Sequence, residues 1–351
     1  MGRTKRSLGR SLVVTVASAL VAIAAFLGLS ACASTDKEEI ESALLALPKN
    51  DGARAHGLVR ETFDVRIGDR VIEAEMTYLH VAPRVHSARS LPPIVLIHGT
   101  PSSLFTWSPL VFGEGDFPGL VETLPERAIY ALDIVGHGIT RTEAAPYTFQ
   151  GCADWIAAFL AHIDARDAVV VGNSYGGEFV WRAALDQPER IGAVVLLDTS
   201  GFPRNDNEWL PEEEAMREMS LAYIGYAFNS RDRIETALGP HFPAGASSDQ
   251  IDEIFQICNN SDNWEAMVDL ARDENGTRSP ELSRLTQPTL LLWGESDKAY
   301  GVERFARQFE RAIPNARLVV IGGSGHYPHE SNPAAVARHL AEFLDRQHVR
   351  K

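Results

Sequence analysis

Near its middle the chain reads Ala168-Val169-Val170-Val171-Gly172-Asn173-Ser174-Tyr175-Gly176. This pattern predicts a buried strand, a sharp turn and a helix, with the Ser174 hydroxyl exposed at the turn. Glycines two residues before and two residues after the serine suit such a turn, because a Cβ at either position would clash with the neighbouring strand or helix. Ser174 is therefore the first candidate for a catalytic residue.

Short, nearly continuous apolar runs of the same kind recur along the chain, and they predict buried parallel strands. They cover residues 94–97, 128–132, 168–171, 193–197, 289–293 and 318–321. Helical periods lie between most of them, for example at Trp155, Ile156 and Phe159, which favours alternating strands and helices. Alternating residues on both sides of the turn Gly68-Asp69 predict an antiparallel hairpin before the first run. The fold class is therefore α/β, with a doubly wound, mostly parallel sheet of eight strands.

The alternation stops between residues 199 and 285, where no obvious buried strand occurs. A structureless loop of that length is not expected inside a compact domain. Apolar spacings around Met216 and Met219, and around Ile251 and Ile254, predict helices instead. We expect 199–285 to be a helical cap over the strand ends, where open α/β sheets place their ligands. The cap would divide the core into 58–198 and 286–351.

The N-terminus has the features of an export signal: four basic residues within the first ten, then an apolar stretch over 12–29. Leu29-Ser30-Ala31-Cys32 resembles the lipobox of bacterial lipoproteins. The resemblance implies a signal over 1–31, acylation of Cys32 and a tether over 32–57, with ordered structure starting near Leu58. Ala33 after the cysteine favours the outer membrane of the exporting cell, facing the periplasm or the surface. An uncleaved membrane anchor is the alternative, since 18 apolar residues can just span a bilayer.

Charge and cysteine content exclude several partners. Without the four basic residues of 1–31, the remaining 29 Lys and Arg face 47 Asp and Glu, a formal charge of −18. Such a balance argues against binding of nucleic acid or of an anionic membrane as the main role. Cys152 and Cys258 have no spacing that demands a disulfide, and no Cys/His cluster has metal-ligand spacing. We therefore expect no metal, no cofactor and no obligate protein partner.

Further motifs follow other predicted strands, and together with the serine turn they resemble the α/β-hydrolase fold from about Leu58 to Gln347. The first, His98-Gly99-Thr100-Pro101, comes directly after the strand at 94–97. The resemblance implies that the backbone N–H groups of Thr100 and Tyr175 form an oxyanion hole. The second, from Asp133 to Gly138, matches the D-x-x-G-x-G turn of the fold. That turn is architectural, so Asp133 with His137 is disfavoured as a catalytic pair.

Two motifs near the C-terminus supply an acid and a base. Trp293-Gly294-Glu295-Ser296-Asp297 matches the W-G-x-x-D of the family, which implies Asp297 as the triad acid, with Glu295 and Asp273 as lesser rivals. Gly325-His326 follows the last predicted strand and implies His326 as the base. His329 is the competing histidine, expected to cap a helix or to face solvent. The chain order Ser174, Asp297, His326 is the order of this fold.

The segment from His98 to Ser103, with Trp107 nearby, resembles the epoxide hydrolase and haloalkane dehalogenase branch of the family. Those enzymes use an aspartate nucleophile, whereas this chain has Ser174. Tyr175 also stands where dehalogenases usually carry a halide-binding tryptophan. Epoxide hydrolysis and dehalogenation are therefore both disfavoured. The run from Gly172 to Gly177 resembles carbon–carbon hydrolases as well, but their longer glycine-rich oxyanion segment is absent from the sequence.

The expected activity is hydrolysis of a carboxylic ester of a small or medium apolar molecule through an acyl-enzyme. Trp107, Trp209 and Tyr223 are candidates for walls of the substrate pocket. Hydrolysis of a carbon–carbon bond, a lactone or an amide by the same residues is an alternative. Cofactor-independent oxygenation or perhydrolysis on this fold is another. A third alternative, from a different class, is a tethered receptor or scaffold with a vestigial triad.

Overall fold

The computed structural model describes residues 35–85, 91–142, 147–210 and 230–348. A single eight-stranded sheet runs through the described residues, in the order β1-β2-β4-β3-β5-β6-β7-β8. The strands are β1 (Leu58–Ile67), β2 (Arg70–Val81), β3 (Ile94–Ile97), β4 (Ile129–Leu132), β5 (Ala168–Asn173), β6 (Ile191–Leu197), β7 (Thr289–Gly294) and β8 (Ala316–Ile321). The predicted apolar runs match β3 to β8 within two residues at either end.

One strand, β2, runs opposite to all the others in the sheet. β1 and β2 form the predicted antiparallel hairpin, in register from Leu58 opposite Leu79 to Ile67 opposite Arg70, and β2 pairs antiparallel with β4. Every other neighbouring pair is parallel. The residues of β3, β5 and β7 are all buried, because helices cover both faces of the parallel part. The doubly wound, mostly parallel sheet predicted from the sequence is therefore confirmed.

Helices pack on both faces of the sheet. In chain order they are α1 (Lys37–Ala46), α2 (Asp51–His56), α3 (Ser108–Phe112), α4 (Leu120–Thr123), α5 (Phe149–His162), α6 (Tyr175–Asp186), α7 (Arg231–Leu238), α8 (Ser248–Cys258), α9 (Ser261–Asp273), α10 (Arg307–Ala312), α11 (Pro328–Ser331) and α12 (Pro333–His348). One hydrophobic cluster joins the sheet to α5, α6 and α10, and another joins its opposite face to α1, α3, α4 and α12.

The N-terminal segment is part of the folded domain. Residues 37–46 and 51–56 are helical, and Ile40, Leu44 and Ala53 are fully buried in the second cluster. The prediction of a tether over 32–57, with order starting near Leu58, is therefore wrong for residues 37–56. This segment has a short apolar stripe in its sequence, but charged residues such as Glu38 and Glu39 favour its interpretation as a tether. In the structure these two side chains are exposed to solvent. Among residues 35 to 348, as far as described, no helix is long and apolar enough to cross a membrane.

Between β6 and β7 the described residues contain helices and no strand, in agreement with the predicted helical insertion. The helices α7, α8 and α9 share a third hydrophobic cluster, which includes Ile234, Ile254 and Met267. Tyr327, the residue after His326, belongs to the same cluster. The cap therefore packs directly on the loop that carries the predicted base.

Candidate active site

Ser174 lies in a sharp turn between β5 and α6. Its backbone has φ 56° and ψ −126°, a conformation that residues other than glycine rarely adopt. The flanking glycines permit the turn: a Cβ on Gly172 would lie 2.4 Å from the carbonyl oxygen of Gly176, and one on Gly176 would lie 2.3 Å from that of His98. The side chain sits at the carboxyl end of β5, with 5% of the residue exposed.

His326 and Asp297 form a buried pair at the ends of neighbouring strands. His326 Nδ1 lies 3.1 Å from Asp297 Oδ2 and 3.2 Å from Oδ1. Asp297 Oδ1 also accepts a hydrogen bond from Ala299 N at 2.9 Å. Burial by itself would raise the pKa of Asp297, but the charge of His326 and these hydrogen bonds hold it below its usual value. Asp297 is therefore an ionised acceptor that orients the imidazole.

Asn173 connects the serine turn to the histidine. Its Nδ2 donates to the carbonyl oxygen of His326 at 3.0 Å and to that of Leu197 at 3.2 Å. The residue that precedes Ser174 thus holds the His326 loop at the turn. Among the described residues no hydrogen bond joins the Ser174 hydroxyl to the His326 ring. Hydrogen bonds between catalytic groups commonly tighten only when substrate is bound.

The segment of the predicted oxyanion hole packs against the serine turn. A Cβ on Gly99 would lie 2.7 Å from Ser174 Cβ and 3.0 Å from the carbonyl oxygen of Asn173. Thr100 follows Gly99, and its hydroxyl is hydrogen-bonded to His137 Nε2. Tyr175 is the first residue of α6, so its N–H is one of the amides that have no acceptor within the helix. Gly99 therefore brings the Thr100 backbone to the side of the turn that carries Ser174.

Asp133 and its neighbours organise the loop beneath this site. The Asp133 carboxylate accepts hydrogen bonds from Leu104 N and Ile139 N, both at 2.7 Å. Burial lowers the pKa of His98 to about 3 and that of His137 to about 4, so both rings are neutral at neutral pH. This arrangement agrees with an architectural role for Asp133 and His137.

The rivals for acid and base lie elsewhere. His329 is fully buried, and its Nε2 lies 3.0 Å from Thr106 Oγ1, so the expectation that it caps a helix or faces solvent is wrong. Burial on α11 lowers the pKa of this histidine to about 3. Glu295 is exposed and accepts from Gly323 N, and Asp273 accepts from Phe149 N. Neither carboxylate hydrogen-bonds to His326.

The three residues proposed as pocket walls have different outcomes. Trp107 is fully buried in the core, with its ring 4.2 Å from that of His329, so it is a packing residue and the pocket prediction is wrong for it. Trp209 is half-buried and stacks 4.0 Å from the Arg204 guanidinium. Tyr223 and Cys32 lie outside the described residues. Cys152 and Cys258 are buried free thiols.

Two site residues were not found from the sequence. Asp198 follows β6, is fully buried, and accepts a hydrogen bond from Gly294 N at 2.8 Å. A carboxylate directly after a buried strand was the available signal. The carbonyl oxygen of His241, a residue of the cap, accepts a hydrogen bond from His326 N at 3.0 Å. The ring of His241 lies 5.2 Å from the ring of His326. No local pattern around His241 predicts this contact.

Among the described residues, one group has the composition and spacing to hold a metal ion: Asp198, Asp297 and His326, whose ligand atoms lie within 4.8 Å of one another. All three are buried, and the Nδ1 of the ring is already hydrogen-bonded to Asp297. The arrangement fits an acid–base pair with a second carboxyl better than an open metal site.

The chain belongs to the alpha/beta hydrolase family, whose model matches residues 94–339. It is similar to the uncharacterized hydrolase YugF of Bacillus subtilis, with 28% identity over 271 residues, 72% of this chain and 89% of the relative. It is also similar to haloalkane dehalogenase 2 of Mycobacterium tuberculosis, with 26% identity over 266 residues, 72% of this chain and 87% of the relative.

A thermophilic esterase from Thermogutta terrifontis has the same fold, with a TM-score of 0.63, 20% identity, and coverage of 82% of this chain and 98% of that one. At this identity the likeness concerns the fold. Family membership together with hydrolase relatives supports a hydrolase.

Proposed function

We propose that the protein is a serine hydrolase that cleaves a carboxylic ester of a small or medium apolar molecule. The observation that carries this proposal is the buried His326–Asp297 pair, held against the strained Ser174 turn by the hydrogen bond from Asn173 to the His326 carbonyl. A hydroxyl needs a base, a group that orients the base, and oxyanion donors to act as a nucleophile. Candidates for all three lie at one edge of the sheet.

In the proposed reaction His326 takes the proton of Ser174 Oγ while the oxygen attacks the acyl carbonyl. Asp297 orients the ring and stabilises the imidazolium. The N–H groups of Thr100 and Tyr175 bind the oxyanion. The imidazolium then protonates the departing alcohol, and water activated by His326 releases the acid from Ser174.

The nucleophile argues against dehalogenation, although a haloalkane dehalogenase is among the relatives. That chemistry forms an alkyl ester on a carboxylate nucleophile, which water then splits at the carboxyl carbon. Ser174 would form an alkyl ether instead, and an ether has no carbonyl for water to attack. Acyl transfer is the reaction that a serine at this position supports.

We expect Ser174→Ala to lower turnover of a nitrophenyl ester at least about a thousandfold, because the acyl-enzyme can no longer form. A fluorophosphonate probe should label Ser174 in the unaltered protein, as shown by mass spectrometry of the labelled peptide. Ser283→Ala, which changes an exposed serine that hydrogen-bonds the carbonyl of Pro280, is the matched control and should keep full activity. Unchanged turnover in Ser174→Ala would contradict the proposal. An acyl-length series, with lactones and amides included, then defines the substrate.

We also propose that the protein is exported and anchored through an acylated Cys32. The support is the sequence: a basic N-terminus, the apolar stretch 12–29 and the lipobox-like Leu29-Ser30-Ala31-Cys32. Mass spectrometry of the protein from its membrane fraction should find Cys32 at the N-terminus with acyl chains attached. An intact, unmodified Met1 terminus would reject the anchor.

A further inference from the structure

A second carboxyl group faces the His326–Asp297 pair. Asp198 is fully buried at the end of β6, and its Oδ1 accepts a hydrogen bond from Gly294 N at 2.8 Å. Among the described residues no N–H or O–H group donates a hydrogen bond to its Oδ2. One oxygen of each of the two carboxyl groups, Asp198 and Asp297, and one nitrogen of the His326 ring lie within 4.8 Å of one another. The Gly294 bond ties Asp198 to the turn that leads to Asp297.

The charges around Asp198 do not balance if both carboxyl groups are ionised. No Lys or Arg of the described residues forms an ion pair with either one, and the imidazole of His326 can compensate for one negative charge only. The other titratable side chains that face the His326 ring are His241 of the cap, at 5.2 Å between rings, and Tyr327 and Tyr300, at 5.0 and 5.7 Å. Burial first, and then the charge of Asp297, raise the pKa of Asp198 well above its usual value. Two carboxyl groups buried this close together disfavour ionisation of both.

We propose that Asp198 is a positioning residue, whose protonated carboxyl donates a hydrogen bond to Asp297 while its other oxygen accepts from Gly294 N. This inference rests on the proposed function, because it concerns how the acid of that site is held. The donated bond fixes the Asp297 carboxylate and takes up part of its negative charge. Asp297 then attracts the proton of His326 less strongly than a free carboxylate would. The ring therefore stays neutral, and able to act as a base, down to a lower pH.

Two substitutions separate this role from others. In Asp198→Asn the amide N–H₂ can donate to Asp297 and the amide oxygen can accept from Gly294 N. Asparagine also tolerates the φ of 45° at this position. In Asp198→Ala both bonds are lost. The test is the pH profile of kcat/KM for a soluble ester, whose acidic limb reports the base of the free enzyme.

We expect the acidic limb to move upward by about 0.5 to 1 pH unit in Asp198→Ala, since a carboxylate without its donor stabilises the imidazolium more. In Asp198→Asn the limb should stay within about 0.2 pH unit of the unaltered enzyme, because the donor is retained. A downward shift in both variants would show that Asp198 was ionised and would overturn the proposal. An unmoved limb in Asp198→Ala would overturn it as well.

An NMR titration of the His326 ring in the same proteins gives a readout that does not need turnover. The ring signals are assigned by their loss in His326→Gln, and the same shifts are expected as for the limb. If Ser174→Ala kept full activity, the proposed function would fail while this titration still decided the role of Asp198. Should Asp198→Ala unfold because Gly294 N loses its acceptor, Asp198→Asn decides: a downward shift overturns the proposal and an unmoved titration supports it.

Discussion

At the scale of single residues, the site depends on positions next to Ser174 where the neighbouring backbone leaves no room for a Cβ. Ser174 is held with a positive φ, and such strained residues persist only where the surrounding structure holds them in place. Three backbones approach the turn: those of β5, of α6 and of the His98–Gly99 segment. Small residues at these contacts let the His98–Gly99 segment pack on the turn that carries Ser174.

Gly99→Ala tests this close approach. The added Cβ would lie 2.7 Å from Ser174 Cβ, so either the turn or the oxyanion segment must shift. We expect kcat/KM for a nitrophenyl ester to fall about a hundredfold or more, the effect of displacing catalytic groups by about 1 Å.

The matched control is Gly322→Ala, because a Cβ there would meet nothing within 4 Å. Its kcat/KM should equal that of the unaltered protein. Activity of Gly99→Ala within threefold of the control would contradict the packing of the oxyanion segment on the turn.

At the scale of elements, the N-terminal segment joins the cap to the core. Lys49, between α1 and α2, has 10% of its side chain exposed, and its Nζ lies 2.5 Å from Glu253 on α8 and 3.0 Å from Glu330 on α11. Ser103 donates to Glu253 at 2.7 Å and Thr106 donates to Glu330 at 2.6 Å. Burial lowers the pKa of Lys49, but the charges of the two glutamates raise it above its usual value. One cation thus bridges a carboxyl group of the cap and one of the helix after His326.

Lys49→Met should destabilise the protein by about 3 to 5 kcal/mol, because it leaves two carboxylates buried without a cation. Chemical denaturation monitored by tryptophan fluorescence measures the change. The control Arg54→Met removes an exposed pair with Asp51 and should cost less than about 1 kcal/mol. Equal stabilities of the two variants would contradict the role of Lys49 in joining cap and core.

At the scale of the whole molecule, the doubly wound topology assembles the site. Ser174, Asp198, Asp297 and Gly99 each lie at or just after the carboxyl end of a parallel strand, and His326 follows β8 by a short loop. Parallel strands end at the same edge of a sheet, so residues distant in the chain meet there. Described residues of the cap lie at that edge, where the carbonyl of His241 accepts a hydrogen bond from the amide of His326.

Truncation tests whether the N-terminal segment belongs to this assembly. A chain that starts at Thr35 keeps every described contact, and it should fold and hydrolyse a soluble ester with unchanged kcat/KM. A chain that starts at Leu58 loses the buried side chains of Ile40 and Leu44, worth about 1.5 to 3 kcal/mol each, together with Lys49. It should be insoluble or unfold at a much lower temperature, since total stabilities are only about 5 to 15 kcal/mol. Equal unfolding midpoints of the two chains in differential scanning calorimetry would show that the segment is a mere tether.

The strands and the serine turn could be predicted because their signals are local. A buried strand is a short apolar run, and a turn without room for Cβ atoms requires glycine at set distances from Ser174. Trp107 and His329 were misjudged for the opposite reason: an aromatic ring or an imidazole has the same local pattern whether it lines a pocket, faces solvent or packs in a core.

The sequence alone determined the α/β class, the strand order along the chain and the motifs that carry Ser174, Asp297 and His326. Only the tertiary structure decided which groups share a buried environment: Asp198 with Asp297, and Lys49 with Glu330, which is 281 positions away in the chain. The reason is physical. A backbone preference acts within a few residues, whereas the charge state of a buried carboxyl depends on every group that packing brings to it.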